Sequence, residues 1–231
     1  MLVIGSRGSN LALAQTQWIQ KRILELSPDL EVTIRIVKTS GDQDTTSSIR
    51  AGSAIGVFVK ELERALLDEE IDLAVHSMKD LPTSIQSGLK IAAVPVREDV
   101  RDALISRKES GLEHLPSGAR IGTGSLRRQA QLLTLRPDLQ VADIRGNLNT
   151  RLKKLEEGTY DAIVLACAGL NRLGMSDKIT ERFSLGQILP APGQGALAVQ
   201  VREKDSDTLS IASALNHKDT SIEVRTERTV L

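Results

Sequence analysis

Ala162-Ile163-Val164-Leu165-Ala166 is a run of consecutive apolar residues with no polar alternation. A strand that shows one face to water alternates, whereas an unbroken run fits a parallel sheet covered on both faces. Upstream of it, Arg120-Ile121-Gly122 reads as a strand end and Thr123-Gly124-Ser125 as a turn. Leu126 to Leu135 follows as a helix stopped by Pro137, Val141 to Ile144 as a strand, and Asn147 as the cap of a helix through Leu155. Downstream, Ala196 to Val201 is a strand and Leu209 to Leu215 a helix. The N-terminal third repeats the alternation. Leu2 to Ile4 is a short strand, and Gly5 to Asn10 is turn chemistry. Leu11, Ala14, Trp18, Ile19, Ile23 and Leu26 recur at helical spacing behind Ser9 or Asn10 as N-cap. Val32, Ile34 and Ile36 alternate as a strand, Phe58, Leu62, Ala65 and Leu66 share a helix face, and Ile71 to His76 and Ile91 to Val96 are strands. Strands alternating with helices mean an α/β fold.

The chain has 231 residues, long for one compact domain and comfortable for two. Hydrophobic residues make up 40% but aromatics only 2%, so the core is aliphatic. Thirty basic residues balance thirty acidic ones. A neutral chain argues against nucleic acid or an anionic membrane as main partner, although a local basic cleft remains compatible with it. Cys167 is the single cysteine, which rules out an internal disulfide and predicts a reducing, cytoplasmic setting. No apolar stretch approaches the ~20 residues that span a bilayer, and the first residues lack signal-peptide character.

Two segments read as crossovers: Pro95 to Arg101, and Gly186 to Gly195 with Pro190, Pro192, Gly193 and Gly195. They predict a second domain, 97–195, inserted into a first made of 1–96 and 196–216, with a cleft between them and 217–231 leading onward. Thr39 to Ser53, rich in Ser, Thr, Asp and Gly, reads as a lid or a disordered loop. A weak internal echo links Ile4-Gly5-Ser6-Arg7-Gly8-Ser9 to Ile121-Gly122-Thr123-Gly124-Ser125.

Those two turns are the first functional candidates. A helix N-terminus offers unpaired N–H groups and partial positive charge to an anion. Arg7 lies in the first turn and Arg127 and Arg128 in the second, while a third instance is Arg145-Gly146-Asn147 with Arg151 one turn on. A single such turn is more often a plain cap, but arginine opposes the helix dipole there, and three repetitions predict a polyanionic ligand. The second candidate is His76-Ser77-Met78-Lys79-Asp80-Leu81-Pro82, after a strand end, where α/β proteins place ligands. Lys79 suits a carboxylate; Asp80 suits a cationic intermediate or a proton. Its plainer reading is a surface turn with an ion pair. Cys167, at an apolar strand end, reads as a core thiol. His76, His114 and His217 have no metal-ligand spacing, so no metal site is expected.

Several stretches together resemble the porphobilinogen deaminase family: Ile4 to Gln15, Phe58 to Glu63, Ala74 to Pro82, Gly122 to Gln129, Arg145-Gly146-Asn147 with Thr150-Arg151-Leu152, Ala168 to Gly174, and Pro192 to Ala196. They run in order over essentially the whole chain. The resemblance implies two domains like those of type II periplasmic binding proteins with a cleft between them, in a monomeric enzyme. It implies head-to-tail condensation of four porphobilinogen molecules into hydroxymethylbilane with release of ammonia, on a dipyrromethane cofactor, in heme biosynthesis. Each pyrrole bears an acetate and a propionate, which agrees with the arginine reading. By position, Asp80 resembles the catalytic aspartate, with Lys79 and Arg7 beside it in the catalytic set. Ser9, Lys79, Asp80, Thr123, Ser125, Arg127, Arg128, Arg145 and Gly146 resemble the cofactor-binding positions. Arg7, Gln15, Phe58, Arg145, Arg151, Arg172 and Gln194 resemble the substrate-binding ones.

Two departures accompany the resemblance. Family members carry a third domain whose loop cysteine bears the cofactor, and this sequence stops at Thr226-Glu227-Arg228-Thr229-Val230-Leu231, where that loop would begin. Either it is a truncated form, or it is a two-domain form that holds its primer otherwise, non-covalent binding by the arginines being one option. The apolar setting of Cys167 disfavours it as a substitute. The family often has Lys-Gly-x-Phe where this chain has Ile55-Gly56-Val57-Phe58, with Arg50 the nearest cation. The rival reading is a non-catalytic protein that grips a linear pyrrole chain or another polycarboxylate. A solute-binding domain for an unrelated acidic ligand is a further rival, opposed by the run of motifs.

Overall fold

The computed structural model describes residues 1–37 and 59–231. The lid expected at Thr39 to Ser53, together with Arg50, Ile55 and Phe58, lies outside the described residues. Contacts divide the chain into two units, Met1–Glu98 with Ala196–Leu231, and Asp99–Gly195.

The first unit opens with β1 (Leu2–Ser6), α1 (Asn10–Leu26), β2 (Val32–Ile36), α2 (Lys60–Leu67), β3 (Leu73–Ser77) and β4 (Leu89–Ala93). The second unit holds β5 (Asp102–Ser106), β6 (Arg120–Gly122), α3 (Leu126–Leu135), β7 (Gln140–Ala142), α4 (Leu148–Glu156), β8 (Ala162–Ala166), α5 (Cys167–Arg172) and β9 (Glu181–Arg182). The chain returns to the first unit with β10 (Leu197–Arg202), α6 (Ser206–Ser213) and α7 (Lys218–Arg228).

The two sheets share one topology. Their orders are β2-β1-β3-β10-β4 and β7-β6-β8-β5-β9. β1 pairs in parallel with β2 and β3, as β6 does with β7 and β8. β10 runs antiparallel to β3 and β4, as β5 does to β8 and β9. In each sheet the antiparallel strand is the one the chain enters on crossing over. The echo between Ile4–Ser9 and Ile121–Ser125 is thus structural: each stretch leaves the middle parallel strand and enters a helix capped by serine.

Alternate residues of each strand serve opposite faces, as the pleat requires. In β8, Ala162 and Val164 join a core with Leu104, Ile121, Leu132 and Phe183. Ile163 and Leu165 join another with Ile105, Leu152, Leu155 and Leu170. In β3, Leu73 and Val75 pack with Ile4, Ile19, Ile23 and Val199, while Ala74 packs with Leu62, Leu66 and Ile71 on the other face. Burying such side chains contributes ~1.5–3 kcal/mol each. Gly5 fits where β1 passes Ile71, because a Cβ there would collide with Ile71 Cδ1.

Several element boundaries differ from expectation for physical reasons. β4 ends at Ala93 rather than Val96: Val94 N–H donates to Asn216 Oδ1 at 2.9 Å, and Pro95 has no N–H to continue the ladder. α6 begins at Ser206, three residues before Leu209, because Asp205 caps it by accepting from Thr208 N at 3.1 Å. β8, by contrast, ends at Ala166 as its apolar run predicts, and Cys167 opens α5. Residues 217–231, expected to lead onward, hold α7 in the first unit, with Thr220 and Val224 buried. His217 caps this helix, its Nδ1 accepting from Thr220 N at 3.3 Å.

Candidate functional site

In the first unit the candidates gather at the C-terminal ends of β1 and β3 and the start of α1. Ser9 caps α1 by accepting from Ala12 N at 3.3 Å. Ser6, at the end of β1, accepts from Thr16 Oγ1 at 2.9 Å and donates to Arg7 O, which fixes the turn on which half-buried Arg7 sits. Gln15 is buried, and its Nε2 donates to Ser77 Oγ at 3.0 Å. It therefore ties α1 to the end of β3, immediately before the turn that carries Lys79 and Asp80. That turn is a single 3₁₀ turn, Met78–Asp80, with Met78 in the core, Lys79 half-buried and Asp80 exposed.

Behind the turn, His76 Nε2 lies 2.9 Å from Gln200 Oε1, and Gln200 Nε2 donates to Glu63 Oε1 at 3.0 Å. A carboxylate only accepts, so Gln200 turns its nitrogen to Glu63 and its oxygen to His76, which places the imidazole proton on Nε2. Burial pushes His76 down to about 4; the Gln200 hydrogen bond opposes that shift and the charge of Arg7 adds to it. Nothing in the sequence marked this chain, because Glu63, His76 and Gln200 come from three separate elements.

In the second unit the centre is Asp102, fully buried at the start of β5. Arg128 Nε and Nη2 donate to its Oδ1 at 3.1 and 2.6 Å, while Arg128 Nη1 donates to Val164 O at 3.0 Å. Arg127 Nη1 lies 2.8 Å from Oδ2 and donates to Leu189 O. The Oδ2 contact has ion-pair distance without hydrogen-bond alignment. Gln194, also buried, donates from Nε2 to Oδ1 at 2.9 Å and to Val100 O at 2.7 Å. Burial pushes the Asp102 carboxyl up, but the charge and hydrogen bonds of Arg128 and the nearby charge of Arg127 outweigh it and hold it below its usual range. Two guanidinium groups on one carboxylate leave a surplus positive charge at the first turn of α3, and Arg127 is the more exposed of the two.

The turns after β6 and β7 adjoin. Thr123 N donates to Ala142 O at 2.9 Å, and a Cβ on Gly124 would lie 2.9 Å from Asp143 Oδ1. Thr123 is buried, and its Oγ1 accepts from Ser125 N at 3.2 Å. Ser125 in turn caps α3, accepting from Arg128 N at 3.4 Å. Arg145 is half-exposed, its Nε donating to Asp143 Oδ2 at 2.6 Å. Gly146 holds φ at +108°, which favours glycine, and its carbonyl accepts from Arg151 Nε at 2.8 Å. Arg172, on α5, donates to Gly195 O at 2.7 Å. The sequence found the arginines and missed Asp102, whose one signal is an acidic residue heading the apolar run Ala103-Leu104-Ile105. Cys167 is fully buried and its thiol is pushed up to about 11, chiefly by burial. Among the described residues no helix is long and apolar enough to cross a membrane.

Among solved structures, the methionine binding protein MetQ matches at a TM-score of 0.58 with 13% identity, over 98% of this chain and 94% of that one. A periplasmic substrate-binding protein of an ABC transporter from Coxiella burnetii matches at 0.57 with 16% identity, over 98% and 96%. These likenesses define the class, the two-unit α/β fold of type II periplasmic binding proteins. The family model "Porphobilinogen deaminase, dipyromethane cofactor binding domain" matches residues 2–210. Porphobilinogen deaminase of Thermus thermophilus is 51% identical over 231 residues, covering 100% of this chain and 75% of that protein. The one of Desulforudis audaxviator is 49% identical over 230 residues, covering 100% and 74%. The chain belongs to the porphobilinogen deaminase family, transferases of tetrapyrrole biosynthesis, and comprises the part that binds the dipyrromethane cofactor.

Proposed function

We propose that the chain catalyses head-to-tail condensation of four porphobilinogen molecules to hydroxymethylbilane, releasing ammonia at each addition, as a cytoplasmic monomer. The observation that carries this reading is the Asp102 cluster, which holds two arginines at one helix start with a surplus positive charge beside the Thr123–Ser125 and Arg145–Gly146 turns. Dipyrromethane has two pyrroles, each with an acetate and a propionate, and needs several cationic and N–H donors. The donor chemistry of Ser125, Arg127, Arg145 and the capped turns fits it. When bound, it supplies the free pyrrole α-carbon from which the chain grows.

The residues of this chain bind and orient. In the second unit, Arg127 and Arg145 pair with carboxylates of the pyrrole chain, and Thr123, Ser125 and the Gly146 turn offer neutral donors. Arg128 and Gln194 act through Asp102, keeping Arg127 in place; Arg151 and Arg172 brace the Gly146 and Gly195 carbonyls. In the first unit, Arg7 and Lys79 pair with substrate carboxylates, and Ser9 shapes the turn. Asp80 accepts from pyrrole N–H and stabilises the cation left when the aminomethyl group of porphobilinogen departs as ammonia. Gln15 supports this turn through Ser77. Neutral net charge and a lone cysteine favour a small acidic substrate and a reducing compartment over nucleic acid and export.

The test is a porphobilinogen consumption assay on the purified chain with its intact mass measured in parallel. Turnover with product of hydroxymethylbilane mass is expected. Tight binding of a pyrrole chain with no ammonia release would replace this reading by that of a binding protein.

A further inference from the structure

We propose that Arg228 is a positioning residue for the Lys79–Asp80 turn: from α7 its guanidinium grips the backbone carbonyls behind that turn and sets its orientation. The inference rests on the reading of Asp80 as the catalytic carboxylate.

Arg228 Nη1 donates to Met78 O and to Leu81 O, both at 3.1 Å, and Nη2 donates to Pro82 O. Three carbonyls of one five-residue stretch thus converge on one planar fork. The turn is anchored by buried Met78 and followed by buried Leu81, with little backbone hydrogen bonding of its own. It is a single 3₁₀ turn closed by Leu81 N to Met78 O at 3.2 Å, and Pro82 has no N–H to extend it. Met78 N donates to Ala196 O on the strand side, so Arg228 fixes the opposite end.

The grip is built rather than incidental. Val224, one turn before Arg228 on α7, packs in a common core with Met78 and Leu81. Glu227 is held by a two-point fork from Arg97, Nη1 to Oε1 at 2.6 Å and Nη2 to Oε2 at 2.8 Å, which fixes the last turn of α7. Arg228 is half-buried with its donors facing carbonyl oxygens, and that burial lowers its pKa. Carbonyl dipoles at the end of a helical turn favour such a cation. Lysine, a point charge without the fork, cannot meet three carbonyls at once.

The experiment compares the full chain with Arg228→Met and Arg228→Lys, by hydrogen–deuterium exchange and by steady-state porphobilinogen consumption. For Arg228→Met, exchange at the amides of residues 78–81 is expected to rise roughly tenfold or more, with β1 and β10 amides unchanged. kcat is expected to fall roughly 10²-fold with KM within about twofold, the mark of misplaced chemistry rather than lost binding. Arg228→Lys recovers part of both. Unchanged exchange at 78–81, or a rise spread evenly through the first unit, overturns the proposal. If the parent chain shows no turnover, the catalytic reading of Asp80 fails, and the exchange comparison still decides whether Arg228 holds the turn.

Discussion

Arg128 closes on Asp102 with two nitrogens on one oxygen, Nε at 3.1 Å and Nη2 at 2.6 Å, and both side chains are buried. A carboxylate taken out of water this far is tolerable only with its charge matched. Arg128 and Arg127 match it, and Arg128 and Gln194 donate to its Oδ1. Asp102→Ala leaves Arg128 buried without its counter-charge and is expected to destabilise the second unit by about 3–5 kcal/mol. Urea unfolding followed by a probe in that unit measures it. A loss under ~1 kcal/mol would mean that water or another group takes over the role of Asp102.

Asp80 is exposed, so Asp80→Asn is expected to leave stability within about 0.5 kcal/mol of the parent. Turnover is expected to fall roughly 10²-fold or more, because the amide keeps the shape and removes the charge. Near-parental rates would remove Asp80 from the chemistry.

Arg127→Leu is expected to weaken binding of a pyrrole chain by ~1.5–3 kcal/mol, the scale of a hydrogen bond to a charged group. Arg128 and Gln194 stay on Asp102, so folding should suffer less than in Asp102→Ala. Titration with a dipyrromethane, beside thermal unfolding, separates the two effects. An unchanged affinity would assign Arg127 to structure alone.

His76 gives the first unit an acid-sensitive term. Its folded pKa, about 4, lies below the ordinary 6.5, so the unfolded state takes up the proton first as pH falls. The neutral imidazole therefore contributes fully above about pH 6.5, and that contribution is lost on descent through the window toward pH 4. Between pH 7 and pH 5 the loss is about 2 kcal/mol, to be read from unfolding curves at both values. A His76→Gln variant should show a shallower dependence; an equal slope would assign it to carboxylates elsewhere.

The local features of this protein were legible in its sequence. The unbroken apolar run Ala162–Ala166 and the helical spacing from Leu11 to Leu26 gave the α/β alternation, because pleat and helix pitch act over neighbouring residues. Ser9, with Asn10 as its alternative, and Asn147 were readable as caps, since a cap bonds only two or three residues ahead. The arginines at the helix starts stood out for opposing the dipole. Tertiary structure alone decided which of those arginines are held within the fold. Asp102 meets Arg128 only because β5 enters the sheet antiparallel beside β8, next to the helix that follows β6. Gln15 reaches Ser77 because β1 and β3 are neighbours, and Arg228 reaches Met78 across 150 positions because Val224 packs on the same core. Such pairings depend on which strands lie side by side, and strand order is settled by burying both faces of each sheet at once, a property no short window of residues contains.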